Sequence, residues 1–294
     1  MENLSGKRVL ITGVGIKPVS FVFKDIITGQ PSHTPVFSEG VEYKANIGAA
    51  AAIECAKSGA IVHLVARTET KLKIIKKWIE ENVSNAKVEY SAIDLSDINS
   101  LKELVKLIPK DIPLYWVQSA GIGAGTVKIK DDQPYTSIDN SSEEQLDAEL
   151  SIIKNTFSLL KILLPRFYKQ NETRICIVTS LAAVRSFTHG AVHCGAKGGL
   201  SRFVNAAMLD LDKNNIFLTD IRPGIVDTGS YDREIDKQCG PIQAGKNYGY
   251  DYTKNIFTMS PSSVGKVIVD ALALDTHITS INMVARGQWP HEGS

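Results

Sequence analysis

The sequence predicts an α/β protein, a single doubly wound parallel sheet with helices on both faces. Three observations predict it. Short apolar runs of strand length alternate with helical patterns from end to end, and that alternation requires crossover connections and therefore a parallel sheet. Strands such as Ile175-Cys176-Ile177-Val178 are apolar at every position, as in sheets buried on both faces. No internal repeat or low-complexity linker breaks the order, so one domain over 1–294 accounts for the chain better than two.

The elements follow in order. Arg8–Thr12 reads as a first buried strand bounded by Gly13. Residues 47–58 carry small and apolar side chains at helical spacing and stop at Gly59. A second strand spans 61–65, and Glu69–Asn82 is a lysine-rich amphipathic helix. Strands are expected at 88–93, 114–117 and 174–178. Between the last two lies a long helix starting near Ser142. Ser141 and Glu144 have capping-box spacing, Glu143 suits the positive end of the helix dipole, and Pro165 should kink or end the helix. Helices at 192–211 and 263–274, with strands at 216–221 and 278–284, complete the pattern.

Two segments stand outside it. Residues 17–45 separate the first strand from the first helix, where about 2–6 residues usually suffice, so they form an insertion. Phe21, Val22 and Phe23 give it apolar anchors, and it is expected to cover a ligand or contact a neighbouring subunit. Residues 229–258 follow a strand end, where ligands bind in open α/β sheets, and read as a substrate lid.

Bulk properties exclude several classes. Thirty-three basic and 32 acidic residues leave a net charge of +1, which gives no electrostatic reason for a nucleic-acid or membrane partner. No run approaches the roughly 20 apolar residues of a membrane span. Met1 leads almost directly into an apolar strand, which leaves no room for a signal peptide, and the cytoplasm is the expected compartment. Cys55, Cys176, Cys194 and Cys239 lack metal-ligand spacing and read as buried free thiols, with no metal site. His33, His189 and His277 read as packing or surface residues.

Thr12-Gly13-Val14-Gly15 follows the first strand and Asn46-Ile47-Gly48-Ala49-Ala50 opens the first helix. Glycines at such a junction let backbone approach a pyrophosphate, which then sits at the positive end of the helix. At the end of the second strand stand Arg67 and Thr68, with no carboxylate to read a ribose 2′-hydroxyl. A guanidinium suits a 2′-phosphate instead, so NADP(H) is expected and NAD(H) less so. Lys44 offers a second positive charge there.

Taken in order, these motifs resemble those of the short-chain dehydrogenase/reductase family, over nearly the whole chain. The family's Thr-Gly-x-x-x-Gly-x-Gly turn is similar to Thr12-Gly13 and Ile47-Gly48 split by the insertion, with Asn46 at the middle glycine. Asp94-Leu95 matches the Asp-Leu after the third strand, whose carboxylate would accept from the adenine amino group. Gln118-Ser119-Ala120-Gly121 stands for Asn-Asn-Ala-Gly, and Pro223-Gly224-Ile225-Val226-Asp227-Thr228 matches Pro-Gly-x-Val-x-Thr in full. The resemblance implies a Rossmann-like fold, a dinucleotide site and a homodimer or homotetramer. It also implies hydride transfer between nicotinamide and an alcohol or carbonyl, using Ser, Tyr and Lys.

Ser180 and Lys197 match the serine and lysine, the serine to orient the substrate oxygen and the lysine to hold the nicotinamide ribose. Thr228 would dock the carboxamide. Four residues before the lysine, where the family has its proton-carrying tyrosine, stands His193. A free imidazole titrates near pH 6.5, so neutral histidine can accept a proton from an alcohol. A second departure lies on the long helix. Aligned on Phe157 and Pro165, Ile152 occupies the place of the asparagine that holds a relay water. The first expectation is therefore an NADP-dependent oxidoreductase interconverting hydroxyl and carbonyl on a small molecule. A non-catalytic NADP-binding sensor or scaffold is the alternative, and a nicotinamide-dependent dehydratase or epimerase is the other enzymatic option.

Overall fold

The structure is a computed structural model and describes residues 3–25, 27–121, 137–187, 189–230, 232 and 257–286. Its main sheet is parallel and built from β1 (Arg8–Thr12), β5 (Ile61–Ala66), β6 (Lys87–Ala92), β7 (Leu114–Gln118), β8 (Thr173–Val178), β9 (Ile216–Pro223) and β10 (Ser280–Met283), in the order β10-β9-β8-β7-β1-β5-β6. The order reverses at β1, which pairs with β5 on one side and β7 on the other. Such a switch point opens a crevice outside the carboxyl ends of the strands.

Strand alternation divides the core between the two faces. Val9 and Ile11 of β1 and Cys176 and Val178 of β8 face one apolar layer; Leu10, Ile175 and Ile177 face the other. The first layer is covered by α1 (Ile47–Lys57), α2 (Glu69–Asn82) and α6 (Pro261–Ala273). The second is covered by α3 (Ile98–Leu107), α4 (Glu143–Phe167) and α5 (Ala191–Leu211). Each face thus removes a continuous apolar surface from water, the main driving force that holds such a sheet together.

The expected elements stand within a few residues of their predicted bounds, with informative differences. α3 is not among the expected elements. It spans only Ile98–Leu107 and buries just Leu101 and Leu104, while Asp97 caps it by accepting from Asn99 and Ser100 N–H at 3.1 Å each. The cap of α4 lies one residue beyond the expected one. Ser142 accepts from Gln145 N–H at 3.2 Å, whereas Ser141 donates to Ser137 O. Pro165 does not end α4, which continues to Phe167. A proline in the last turn removes a single ladder bond, which the helix tolerates there. Of the three described cysteines, Cys55 and Cys176 are buried as expected, but Cys194 is only partly buried; Cys239 lies outside the described residues.

The insertion folds as a separate antiparallel sheet of β2 (Ile16–Pro18), β3 (Pro35–Ser38) and β4 (Val41–Ala45), ordered β2-β4-β3. Glu39 and Gly40, both at positive φ (51° and 78°), close the β3–β4 hairpin, the backbone that a two-residue hairpin turn requires. Only Phe23 of the three expected anchors is buried; Phe21 and Val22 are each 40% exposed.

Candidate active site

The interrupted glycine turn is rejoined by one side chain. β2 and β4 run side by side, so residues on either side of the insertion meet, and Asn46 N–H donates to Gly15 O at 2.9 Å. The Asn46 amide oxygen accepts from Gly15 N–H (3.0 Å) and Ala49 N–H (2.9 Å), while its NH2 donates to Gly13 O at 2.8 Å. Asn46 therefore caps α1 and ties both halves of the turn together. Gly13 has φ +84°, and a Cβ there would lie 2.2 Å from Ala120 N; a Cβ on Gly48 would lie 2.7 Å from Gly13 O. Strand end, β7 loop and helix start thus converge at distances only glycine permits, giving the open backbone cradle a pyrophosphate needs. Ile47 packs beneath, and Thr12 faces inward, its hydroxyl bonded to Gln118 and accepting from Trp116.

Arg67 and Thr68 are exposed at the end of β5. Asp94 lies beside them beyond β6, and its Oδ1 accepts from Ser96 N–H (2.9 Å) and Oγ (2.8 Å). The Ser96 backbone N–H is the main cause holding the Asp94 carboxyl below its ordinary range, and the Arg67 charge adds to it. Leu95 packs on the second core layer. Lys44, expected to face a phosphate, does not. It is fully buried, 2.6 Å from Asp227 Oδ1, 2.8 Å from Asp232 Oδ1 and 5.0 Å from the Phe23 ring centroid. A buried ammonium needs compensating charge, and the two carboxylates supply it within the protein. Ser32 donates to Asp227 Oδ2 at 2.8 Å, so the insertion grips the residue beside Thr228. Pro223, Gly224 and Val226 carry the chain to that point, where Thr228 Oγ1 lies 3.1 Å from Ser230 Oγ.

Of the residues expected to carry the chemistry, Ser180 stands just past β8, and His193 and Lys197 stand on the first two turns of α5. The Ser180 Oγ accepts from Ala182 N–H at 3.1 Å. Lys197, buried on the second turn of α5, reaches Gly121 at the end of β7; a Cβ on that glycine would lie 3.4 Å from Nζ and 3.2 Å from Ile152 Cδ1. Burial lowers the Lys197 pKa, and the Glu149 carboxylate opposes that shift. His193 Nδ1 lies 3.0 Å from Glu149 Oε1. Sequence reasoning missed Glu149. The available signal was a carboxylate in the buried row of α4, among Gln145, Ile152, Thr156 and Leu159. A cavity of about 890 Å³ is lined by Ala182, Phe187, Gly190 and Cys194 among others, with neither Ser180 nor His193 in its lining.

The model of the family described as short chain dehydrogenase matches residues 44–238. The chain belongs to the short-chain dehydrogenase family. The match starts at the end of the insertion, so the family pattern resumes where Asn46 closes the turn. Among its relatives, the NADP-dependent 3-hydroxy acid dehydrogenase of Schizosaccharomyces pombe is 25% identical over 280 residues, 92% of this chain and 89% of that protein. Sepiapterin reductase of Chlorobaculum tepidum is 26% identical over 204 residues, 65% and 78% of the two chains. The fold is shared with an NADPH-bound short-chain oxidoreductase of Pseudomonas aeruginosa described as containing an atypical catalytic center (TM-score 0.72, 17% identity, 97% of both chains). It is also shared with L-sorbose reductase of Gluconobacter frateurii complexed with NADPH and L-sorbose (TM-score 0.69, 19% identity, 97% and 96%). In this short-chain dehydrogenase His193 stands one turn before Lys197 on α5, facing Glu149, itself one turn before Ile152 on α4.

Proposed function

We propose that this family member is an NADP(H)-dependent oxidoreductase that interconverts a hydroxyl and a carbonyl group on a small molecule. The observation that carries this reading is the buried Lys197 ammonium beside Gly121, next to His193 and its carboxylate partner, at the mouth of the glycine cradle. The residues fit the cofactor. Gly13, Gly15, Asn46, Ile47 and Gly48 would hold the pyrophosphate, Arg67 and Thr68 the 2′-phosphate, and Asp94 with Leu95 the adenine. Ala120, Gly121 and Lys197 would border the nicotinamide ribose, and Pro223, Gly224, Val226 and Thr228 the carboxamide. The names of the Schizosaccharomyces pombe relative and of the NADPH-bound structures support the same cofactor.

Bound NADP(H) supplies the hydride acceptor or donor. In alcohol oxidation Ser180 would orient the substrate oxygen and His193 would take the hydroxyl proton; in reduction His193 would return it. Lys197 would hold the ribose. The chain acts as one dinucleotide-binding domain with a homodimer or homotetramer as its assembly; of the substrate lid expected at 229–258, residues 231 and 233–256 lie outside the described residues. Among the described residues no helix is long and apolar enough to cross a membrane.

The test is His193→Ala, with NADPH absorbance followed over 3-hydroxy acids, 3-oxo acids, ketoses and polyols, the classes suggested by the relatives. Turnover should fall by roughly 10²–10⁴-fold, the span of general acid–base catalysis, with NADPH affinity nearly intact. A variant at full speed removes the histidine from the mechanism. A wild type that binds NADPH and turns over none of the panel points to the sensor instead.

A further inference from the structure

Glu149 is 6% exposed, on the same buried row of α4 as Ile152 and one turn before it. A carboxylate in such a place needs partners, since burial without them is costly. Its partners come from α5: His193 Nδ1 at 3.0 Å, with the buried Lys197 close enough to feel its charge. The partly buried Cys194 thiol also senses the carboxylate, and the Phe187 ring stands 6.3 Å from the imidazole. An ionised carboxylate can only accept, so with Glu149 ionised Nδ1 carries the proton of this bond.

We propose that Glu149 is a positioning residue for the reaction. It holds the His193 ring with Nδ1–H toward the carboxylate, which assigns proton exchange to Nε2, and it offsets the positive charge that forms on the imidazole near Lys197. When His193 takes the alcohol proton, the O–H bond breaks and an Nε2–H bond forms. Two cations, imidazolium and ammonium, then stand one helical turn apart, and Glu149 is the anion between helices α4 and α5 that makes this arrangement tolerable. A carboxylate that fixes tautomer and ring orientation is the arrangement that lets histidine act as a base in hydrolytic triads. The inference rests on the reading of His193 as proton carrier.

Two measurements test it. The first needs no substrate: ¹⁵N-histidine-labelled full-length protein bound to NADP⁺, observed by NMR at a pH where its imidazoles are neutral, with His193 assigned by its loss in His193→Ala. Wild type should show the Nδ1–H tautomer, and Glu149→Leu should shift His193 toward Nε2–H. A wild-type ring protonated on Nε2, or an unchanged tautomer in Glu149→Leu, overturns the proposal. The second is kinetic. Glu149→Gln should lower kcat by about 10²-fold and change KM for cofactor and substrate by less than about twofold, as expected for an interaction used only in the transition state. It should also displace the acidic limb of the kcat–pH profile, and Glu149→Asp, which keeps the charge, should restore part of the rate. The double variant with His193→Ala should be no slower than His193→Ala alone, because the two residues act as a unit. A slow His193→Ala beside a full-speed Glu149→Gln removes Glu149 alone. A full-speed His193→Ala removes the proton-carrier reading, whatever the tautomer.

Discussion

Replacing Lys44 by methionine should loosen the protein's grip on the segment that carries Asp227 and Thr228. The ammonium has no exposed surface; it lies 2.6 Å from Asp227 and 2.8 Å from Asp232, whose side chains are 0% and 4% exposed. Methionine keeps the apolar stem against Phe23 and removes only the charge. Asp227 then keeps the Ser32 hydroxyl as a donor but loses its cation. Breaking a buried pair from one side costs about 3–5 kcal/mol, which at about 2 °C per kcal/mol for a chain of this size lowers Tm by roughly 6–10 °C. Burial already raises the Asp227 pKa above the usual carboxylate range. A raised carboxyl pKa gives stability below the unfolded value that is lost as pH rises through the folded one. The deficit of Lys44→Met should therefore be small in acid and grow toward neutrality. Thr228 adjoins Asp227, and Lys17 and Ser20 of the insertion also hold Gly229 and Asp232, so NADPH affinity should fall as well. Scanning calorimetry across pH and NADPH fluorescence titration measure both effects. Adding Asp227→Asn should recover part of the stability. A Lys44→Met protein within about 1 kcal/mol of wild type at neutral pH, with unchanged NADPH affinity, would refute the claim that this pair braces the site.

Arg67→Asp should weaken NADPH by roughly 1.5–3 kcal/mol, the worth of a charge-assisted bond, or about 10–150-fold, with NADH much less affected; parallel titrations of the two cofactors check this, and equal losses would contradict the 2′-phosphate role. Lys197→Met should raise the apoprotein's Tm at pH 7 while sharply weakening its use of cofactor, because burial lowers the Lys197 pKa. Between the lowered folded pKa and the ordinary lysine value the unfolded chain binds more protons, so wild-type stability rises with pH there and the variant's advantage should shrink; pH-resolved melting curves read the crossover.

The fold was largely legible because β1 and β8 are buried along their whole length and have apolar centres, Val9-Leu10-Ile11 and Ile175-Cys176-Ile177-Val178, while α2 keeps a clean helical period. What stayed illegible was short or local. α3 spans only ten residues; Leu101, Leu104 and Val105 recur at helical spacing, so the signal was present, in a segment short enough to pass for a loop between two strands. The insertion's strands are three to five residues long, and their register is set by the Glu39-Gly40 turn and by tertiary contacts rather than by alternation. Lys44 was misplaced for a related reason: a lysine beside a phosphate turn is ordinarily a solvent-facing cation, and its two anionic partners lie 183 and 188 residues away in the chain.

The same logic explains how Glu149 escaped notice. Ser180, Lys197 and the glycine cradle occupy fixed places relative to strand ends, so sequence order alone locates them. The partner of a substituted residue has no such fixed place. With His193 on the first turn of α5, its partner is decided by which α4 side chain faces that turn. An imidazole nitrogen lies nearer its own backbone than a phenolic oxygen does. It therefore meets α4 at a different height, and the carboxylate one turn before Ile152 is within reach where a side chain at 152 need not be. On this reading Ile152 is not a lost catalytic group. With Glu149 at the imidazole, position 152 is free to pack, and its methyl fills the space above Gly121 beside the Lys197 ammonium. If Glu149 and His193 act as the proposed pair, the substitutions expected at 152 and 193 belong together: the imidazole takes its partner from 149, and 152 is left to packing.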